Sequence, residues 1–400
     1  MSTAATVPPV VLPAIQRPAI QRPILATAAV AALSLGLALW ADSPLMAAVL
    51  AIGIGLGIAL YHAAFGFTAA YRRAVLDKEL SGVVAQAVML VVASILFAPM
   101  LAAGEAFGHG VGGAVAPVGI AMLTGAFVFG IGMQLGGACA SGTLFTSGGG
   151  SPRMVVVLVF FCAGSWWGSL DLPWWQSLPT LPPVSLGHAI GWVPAVLAQA
   201  AVLALIVRVL YLFGGRVRRP LWWDGRYSAS ALLRGPWPLL LGALALAVLN
   251  AVTLALTGGP WGITWGFTLW GAKTAAALGW DPTSSVYWSA GWTRAALDQS
   301  ILASSTSVSN LGILIGAAVA AALAGSFRPG WRIGLRPLAA AVLGGLLMGY
   351  GARLAYGCNI GAFFSGVAST SLHGWAWIAM ALLGTTVGIR LRPWFHLSNP

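Results

Sequence analysis

Charge is what this 400-residue chain most lacks. Asp, Glu, Lys and Arg together make up 7% of it, where a soluble domain carries roughly a quarter. Only 8 residues are acidic, too few to coat a water-facing surface of this size, so a soluble enzyme is excluded. Cysteine is nearly absent as well: 3 thiols far apart in sequence do not make a disulfide framework. The 5 histidines are scattered without metal-ligand spacing, so neither a metal nor a cofactor is expected. No Walker loop or dinucleotide fingerprint occurs, since GIGMQLGG has no strand–turn–helix context. The formal charge of +12 suggests nucleic acid, but the arginines sit at the ends of apolar segments, where they set membrane orientation instead.

What the chain has is apolar length. Hydrophobic residues make up 59% of it, and about 20 apolar residues in a row suffice for a helix to cross a bilayer. Candidate spans lie at 24–40, 44–62, 82–102, 118–138, 154–170, 191–213, 237–257, 307–325, 338–355 and 374–390. The expected fold is therefore all-α: a polytopic membrane protein of about ten spans. The 52 glycines suit close helix packing without a water-driven force. Residues 1–23 lack the compact apolar core and cleavage site of a signal peptide and read as a cytoplasmic tail.

The cations give the orientation. Arg17 and Arg22, then Arg72, Arg73 and Lys78, then Arg153, fall on one side together with the basic segment from Arg216 to Arg234. Arg328, Arg332 and Arg336, and finally Arg390 and Arg392, join them if 260–305 enters and returns to the other side. This is a positive-inside pattern with both termini cytoplasmic. Lys273, Arg294 and Arg353 remain outside it. Arg294 is four residues from Asp298, the spacing of a helix-surface pair.

One motif occurs twice. Gly130 to Phe145 reads GIGMQLGGACASGTLF, and Gly349 to Phe364 reads GYGARLAYGCNIGAFF. At one constant offset Gly130, Gly132, Leu135, Cys139, Gly142 and Phe145 match Gly349, Gly351, Leu354, Cys358, Gly361 and Phe364. A weaker echo joins Gly66-Phe67-Thr68 to Gly266-Phe267-Thr268. The segment entering Cys139 starts outside and the one entering Cys358 starts inside, so the expected layout is an inverted repeat. The organisation expected is a tail at 1–23, a first membrane half at 24–213, a basic loop at 214–236 and a second half at 237–400.

The glycines around both cysteines break the helix, and broken backbone at membrane depth is tolerated where it is buried in protein or lines a cavity. Helix N-termini at such a break favour an anion. Cys139 and Cys358 are the leading site candidates, with Ser141, Thr143 and Asn359 as flanking donors. Cys162, in VFFCAGSWWG, reads as an ordinary packing residue. Arg353, opposite Gln134 in the repeat, is either an anion ligand or a snorkelling side chain. Lys273 is either an anion attractor at the outer mouth or an interfacial anchor. Asn310, in SVSNLG, belongs to the same site or joins helices.

These motifs, with SLHGWAW after the second, resemble the YeeE/YedE family of sulphur-transport membrane proteins, over most of the chain. The resemblance implies thiosulfate uptake across the bacterial inner membrane. It also implies an hourglass of two inverted halves, whose short helices meet at a constriction lined by conserved cysteines. Cys139 and Cys358 match two of these. A cytoplasmic TusA-like sulfurtransferase is the implied partner. The third family cysteine would fall in FGFTAAYRR, where this chain has Gly66. The solute is then thiosulfate passed by two thiols, or another sulfur or selenium species. A sulfurtransferase holding a cysteine persulfide and a partner-docking subunit are the competing classes.

Overall fold

A computed structural model describes residues 18–223 and 229–399. Arg17 with the rest of the tail to residue 17, and Arg226 of the basic loop, lie outside the described residues. The order is α1 (Arg22–Asp42), α2 (Pro44–His62), α3 (Phe67–Asp77), α4 (Ser81–Ala103), α5 (Ile120–Gly136) and α6 (Ala140–Gly148). Then come α7 (Pro152–Gln176), α8 (Leu186–Ile190), α9 (Trp192–Leu212), α10 (Ala229–Arg234), α11 (Leu239–Thr257) and α12 (Thr264–Ala277). The chain closes with α13 (Gly291–Asp298), α14 (Ser305–Ala324), α15 (Leu335–Leu354), a π-helical turn Asn359–Phe364, α16 (Ser365–Ala368) and α17 (Leu372–Leu391).

Ten helical stretches among the described residues are long and apolar enough to cross a membrane, one at each expected place. The protein is an all-α, multi-pass membrane protein. Three of the ten, Pro44–Asp77, Ile120–Gly148 and Leu335–Ala368, continue past a break into a short second helix. The stops are local. Ser43 caps α2 by accepting from the Met46 amide, and Pro44 needs no N–H there. Gly137, at φ +89°, ends α5 in the left-handed conformation that glycine adopts without strain.

Packing pairs helices far apart in sequence. α2 lies on α14 and α4 on α11, while α15 is held between α5 and α7 and α17 lies on α5. Glycine permits these crossings: a Cβ on Gly384 of α17 would collide with the Phe127 carbonyl of α5, and one on Gly130 with the Ala381 carbonyl.

The connections form two groups on opposite faces. On one face Lys78 reaches the Phe213 carbonyl, Gln21 bonds Phe327, Arg153 reaches the Pro337 carbonyl and Arg392 the Gln134 carbonyl. On the other, Gly112 bonds Gly258, Leu372 bonds Val184 and Arg353 lies over the Tyr287 ring. The first, basic face carries described members of the arginine groups that the sequence places on one side, among them Arg72, Arg153, Arg234 and Arg392. The opposite face holds Lys273, Arg294 and Arg353, and Arg294 pairs with Asp298 at 3.0 Å.

Candidate functional site

Both motif cysteines occupy the same local position. Cys139 is the N-cap of α6, at φ −86° and ψ −171°, directly after the break that ends α5. Cys358 is the N-cap of the π-helical turn, at φ −105° and ψ −165°, after the break that ends α15. Extended backbone at a cap leaves the next N–H groups unpaired within the helix. The Cys139 carbonyl takes the Thr143 amide at 2.7 Å and its hydroxyl at 2.9 Å, and the Cys358 carbonyl takes the Ala362 amide at 3.0 Å.

The thiols are sealed from the surface, at 1% and 0% exposure. The Cys139 sulfur and the Ser141 hydroxyl are 3.3 Å apart, and the Cys358 sulfur accepts the Ile360 amide at 3.4 Å. α6 touches the π-helical turn, and the two thiols lie within electrostatic reach of each other. The repeated motif therefore converges on one buried place. Cys162, free and half-buried on α7, has no part in these contacts.

A third element joins them. The Asn359 amide donates to the Tyr71 hydroxyl of α3 at 3.4 Å, and Tyr71 lies within electrostatic reach of Cys139. Two buried oxygens nearby, Asn359 Oδ1 and Thr68 Oγ1, have no partner, so the site holds unspent hydrogen-bonding capacity. Gly66 caps α3 from a position where a Cβ would meet nothing within 4 Å. It lines a narrow crevice with Arg73, Gln86 and Arg219.

The end of α5 before Cys139 is gripped by arginines. Arg153 donates through Nη2 to the Leu135 carbonyl and through Nη1 to the Gly136 carbonyl, both at 3.0 Å. Arg392 donates to the Gln134 carbonyl at 2.6 Å, and Arg72 to the Gln134 side chain at 3.3 Å. Cations on the last carbonyls of a helix satisfy its orphan acceptors and its dipole. Sequence reasoning used Arg72, Arg153 and Arg392 only for orientation and missed Tyr71. The one local signal was the polar tail of FTAAYRR within an otherwise apolar stretch.

The remaining candidates have partners other than the thiols. The Lys273 ammonium donates to the Leu297 and Gln299 carbonyls, each at 2.6 Å, beside a mouth on the opposite face lined by Ser304, Ser305 and Thr306. Arg353 stands 5.4 Å over the Tyr287 ring with its Nε buried and unpartnered. Asn310 braces the start of α12 through the Ile263 carbonyl at 2.9 Å. No cluster of three potential metal ligands occurs among the described residues.

The glycine-broken, thiol-centred pair can be set beside known proteins. A family model described as sulphur transport matches residues 62–387. The chain is 29% identical over 280 residues, 66% of this chain and 74% of the relative, to a thiosulfate transporter, TsuA, of Spirochaeta thermophila. It is 30% identical over 171 residues, 40% of each chain, to a probable transporter, YedE, of Escherichia coli. Identity to the Salmonella typhimurium YedE is 31% over 166 residues, again 40% of each.

Proposed function

The chain belongs to the sulphur-transport family, and from that premise we propose that it carries thiosulfate into the bacterial cytoplasm past Cys139 and Cys358. It is a transporter rather than an enzyme, and its cargo is a sulfur-containing anion. The observation that carries the finer reading is the matched placement of the thiols. Each caps the second segment of a broken membrane helix, each is buried, and they lie within electrostatic reach of each other. The resemblance to a thiosulfate transporter supports the choice of solute.

A neutral thiol is a weak donor that admits an anion without trapping it, whereas a fixed charge would hold a dianion too tightly for conduction. Ser141, Asn359 and Tyr71 add donors around the sulfurs, and the free amides at the α6 N-terminus add a positive dipole end. No covalent turnover is needed. The missing third thiol at Gly66 is replaced by open space.

The halves at 24–213 and 237–400 form an inverted repeat around this centre, an hourglass closed by the two motifs. Packing supports it: exchanging α2 with α11, α4 with α14, α5 with α15 and α7 with α17 turns α2–α14 into α11–α4 and α15–α7 into α5–α17, all of which are in contact. The basic face is cytoplasmic in an inner membrane, by the positive-inside rule, and a TusA-like sulfurtransferase collects the solute there. Uptake by liposomes holding the purified chain alone, with thiosulfate, sulfite, sulfate and selenite in parallel, tests the assignment. Thiosulfate uptake above the other anions is expected, and preference for another anion overturns the choice of solute.

A further inference from the structure

The basic face has a cavity that the thiol centre does not use. It encloses about 640 Å³ and is lined in part by Tyr61, His62, Ala64, Arg234 and Ser326. That is within the usual range for a small-molecule site. Ala64 also lines the narrow crevice of Gly66, Arg73 and Arg219, so cavity and crevice adjoin.

Charge in this place is unbalanced. Arg73 and Arg219 lie within electrostatic reach of each other. The carboxylates close to them are Glu79, 3.8 Å from Arg219 and already accepting the Ser81 amide at 2.8 Å, and Asp77 on the α3 helix of Arg73. The Arg73 carbonyl accepts the Glu79 amide at 3.2 Å, but its guanidinium makes no hydrogen bond or ion pair among the described residues. Arg234 is turned to the backbone carbonyls of Leu323 and Pro18. A second observation is independent of the arginines: His62 is 4% exposed, lines the cavity, and leaves its Nε2 buried without a partner. The other ring nitrogen serves the Leu233 carbonyl, so Nε2 donates into the cavity only from the imidazolium, the form that a dianion beside it stabilises. The mouth on the opposite face has no such surplus, because its one nearby ammonium, Lys273, is taken up by two carbonyls.

We infer that the crevice and cavity at Gly66, Arg73 and His62 form an anion-binding vestibule for small doubly charged oxyanions, the station a solute occupies after leaving the thiols. This rests on the transport reading above. A membrane potential negative inside drives a dianion back outward, and guanidinium groups at the exit raise its local occupancy against that pull. Arg73 supplies the unneutralised charge, His62 in its imidazolium form a directional donor, and Gly66 the room.

The test measures melting of the purified full chain against thiosulfate, sulfate or phosphate, with sodium chloride at matched ionic strength as reference. A ligand that binds only the folded state raises the melting temperature along a saturation curve. The background is Cys139→Ser with Cys358→Ser, which removes the thiols and leaves the vestibule intact. The expected result is a saturable shift that survives in this background. Arg73→Gln raises its half-saturating concentration at least tenfold, and Arg73→Lys restores most of it. A shift by all three anions shows general oxyanion capture; a shift by thiosulfate alone shows a vestibule matched to the cargo. The inference is overturned if the shift vanishes with the thiols, if Arg73→Gln leaves the curve unchanged, or if no variant shows saturation. Those outcomes leave the transport reading standing, because liposome uptake decides it separately. If Arg73→Gln melts lower without anion, His62→Phe is the second probe and carries the same expectation.

Discussion

Arg153 is where a single substitution reports most directly on how the Cys139 break is held. Its guanidinium spans the Leu135 and Gly136 carbonyls at 3.0 Å each, on the last turn of α5 and three residues before the thiol. Arg153→Gln removes the charge and leaves at most one amide donor within reach. A hydrogen bond to a charged group is worth roughly 1.5–3 kcal/mol, and the guanidinium is only partly buried, so water recovers part of the loss. The net cost is about 2 kcal/mol, together with a looser α5 terminus. Two measurements follow the change: thermal unfolding in detergent and the maximal rate of liposome uptake. Both should fall, the rate more than the apparent affinity, because the contact positions the thiol without touching the solute. Arg153→Lys, with the charge but without the fork, should lie between. Unchanged melting together with an unchanged uptake rate would refute the idea that this arginine holds the break open.

Three further outcomes follow from the same geometry. Gly384→Ala pushes a methyl group into the Phe127 carbonyl and should cost about 1–3 kcal/mol by overpacking; unaltered melting would show that α5 and α17 have room to part. Gly66→Cys meets no neighbour within 4 Å, so the fold should be unaffected and thiosulfate uptake should at least equal that of the parent chain; a lower rate would mean the open space itself is required. Burial pushes the Glu79 carboxyl up, but hydrogen bonds from the Ser81 hydroxyl and amide, together with Arg219, hold it below its ordinary 4.5. Its stabilising effect is therefore complete above about pH 4.5 and is lost as the pH falls through the lower folded value. Glu79→Gln should flatten this acid limb of a melting-versus-pH curve, and an identical limb would remove Glu79 as its cause.

The spans were legible because lipid leaves few alternatives: a run of about 20 apolar residues must satisfy its own backbone, and does so as a helix. Helix ends were less so. Apolar content drops at Asp171, Pro173 and the tryptophans after it, which set the expected end at 170, yet α7 runs on to Gln176. There the Tyr350 hydroxyl donates to Asp171 at 2.9 Å and Trp175 donates to Tyr350 at 2.9 Å, long-range support that no local window contains. The thiol breaks were legible for a related reason, since glycine runs around a lone cysteine fit no smooth helix. Tyr71 and the arginine grip were not, because Arg392 and Gln134 meet only after the chain has folded back on itself. Lys273 read in the sequence as an anion attractor or an interfacial anchor, and its bonds to the Leu297 and Gln299 carbonyls at the end of α13 are again long-range contacts that no local window contains.

The measurement that bears most directly on the central claim is thiosulfate uptake by liposomes containing Cys139→Ala, Cys358→Ala or the parent chain, at matched protein density and with melting checked for each. Both thiols are buried and small, so either alanine should fold. The account predicts that each single variant loses most of the uptake. Parent-level uptake in both variants would contradict it and place the solute path elsewhere in the molecule.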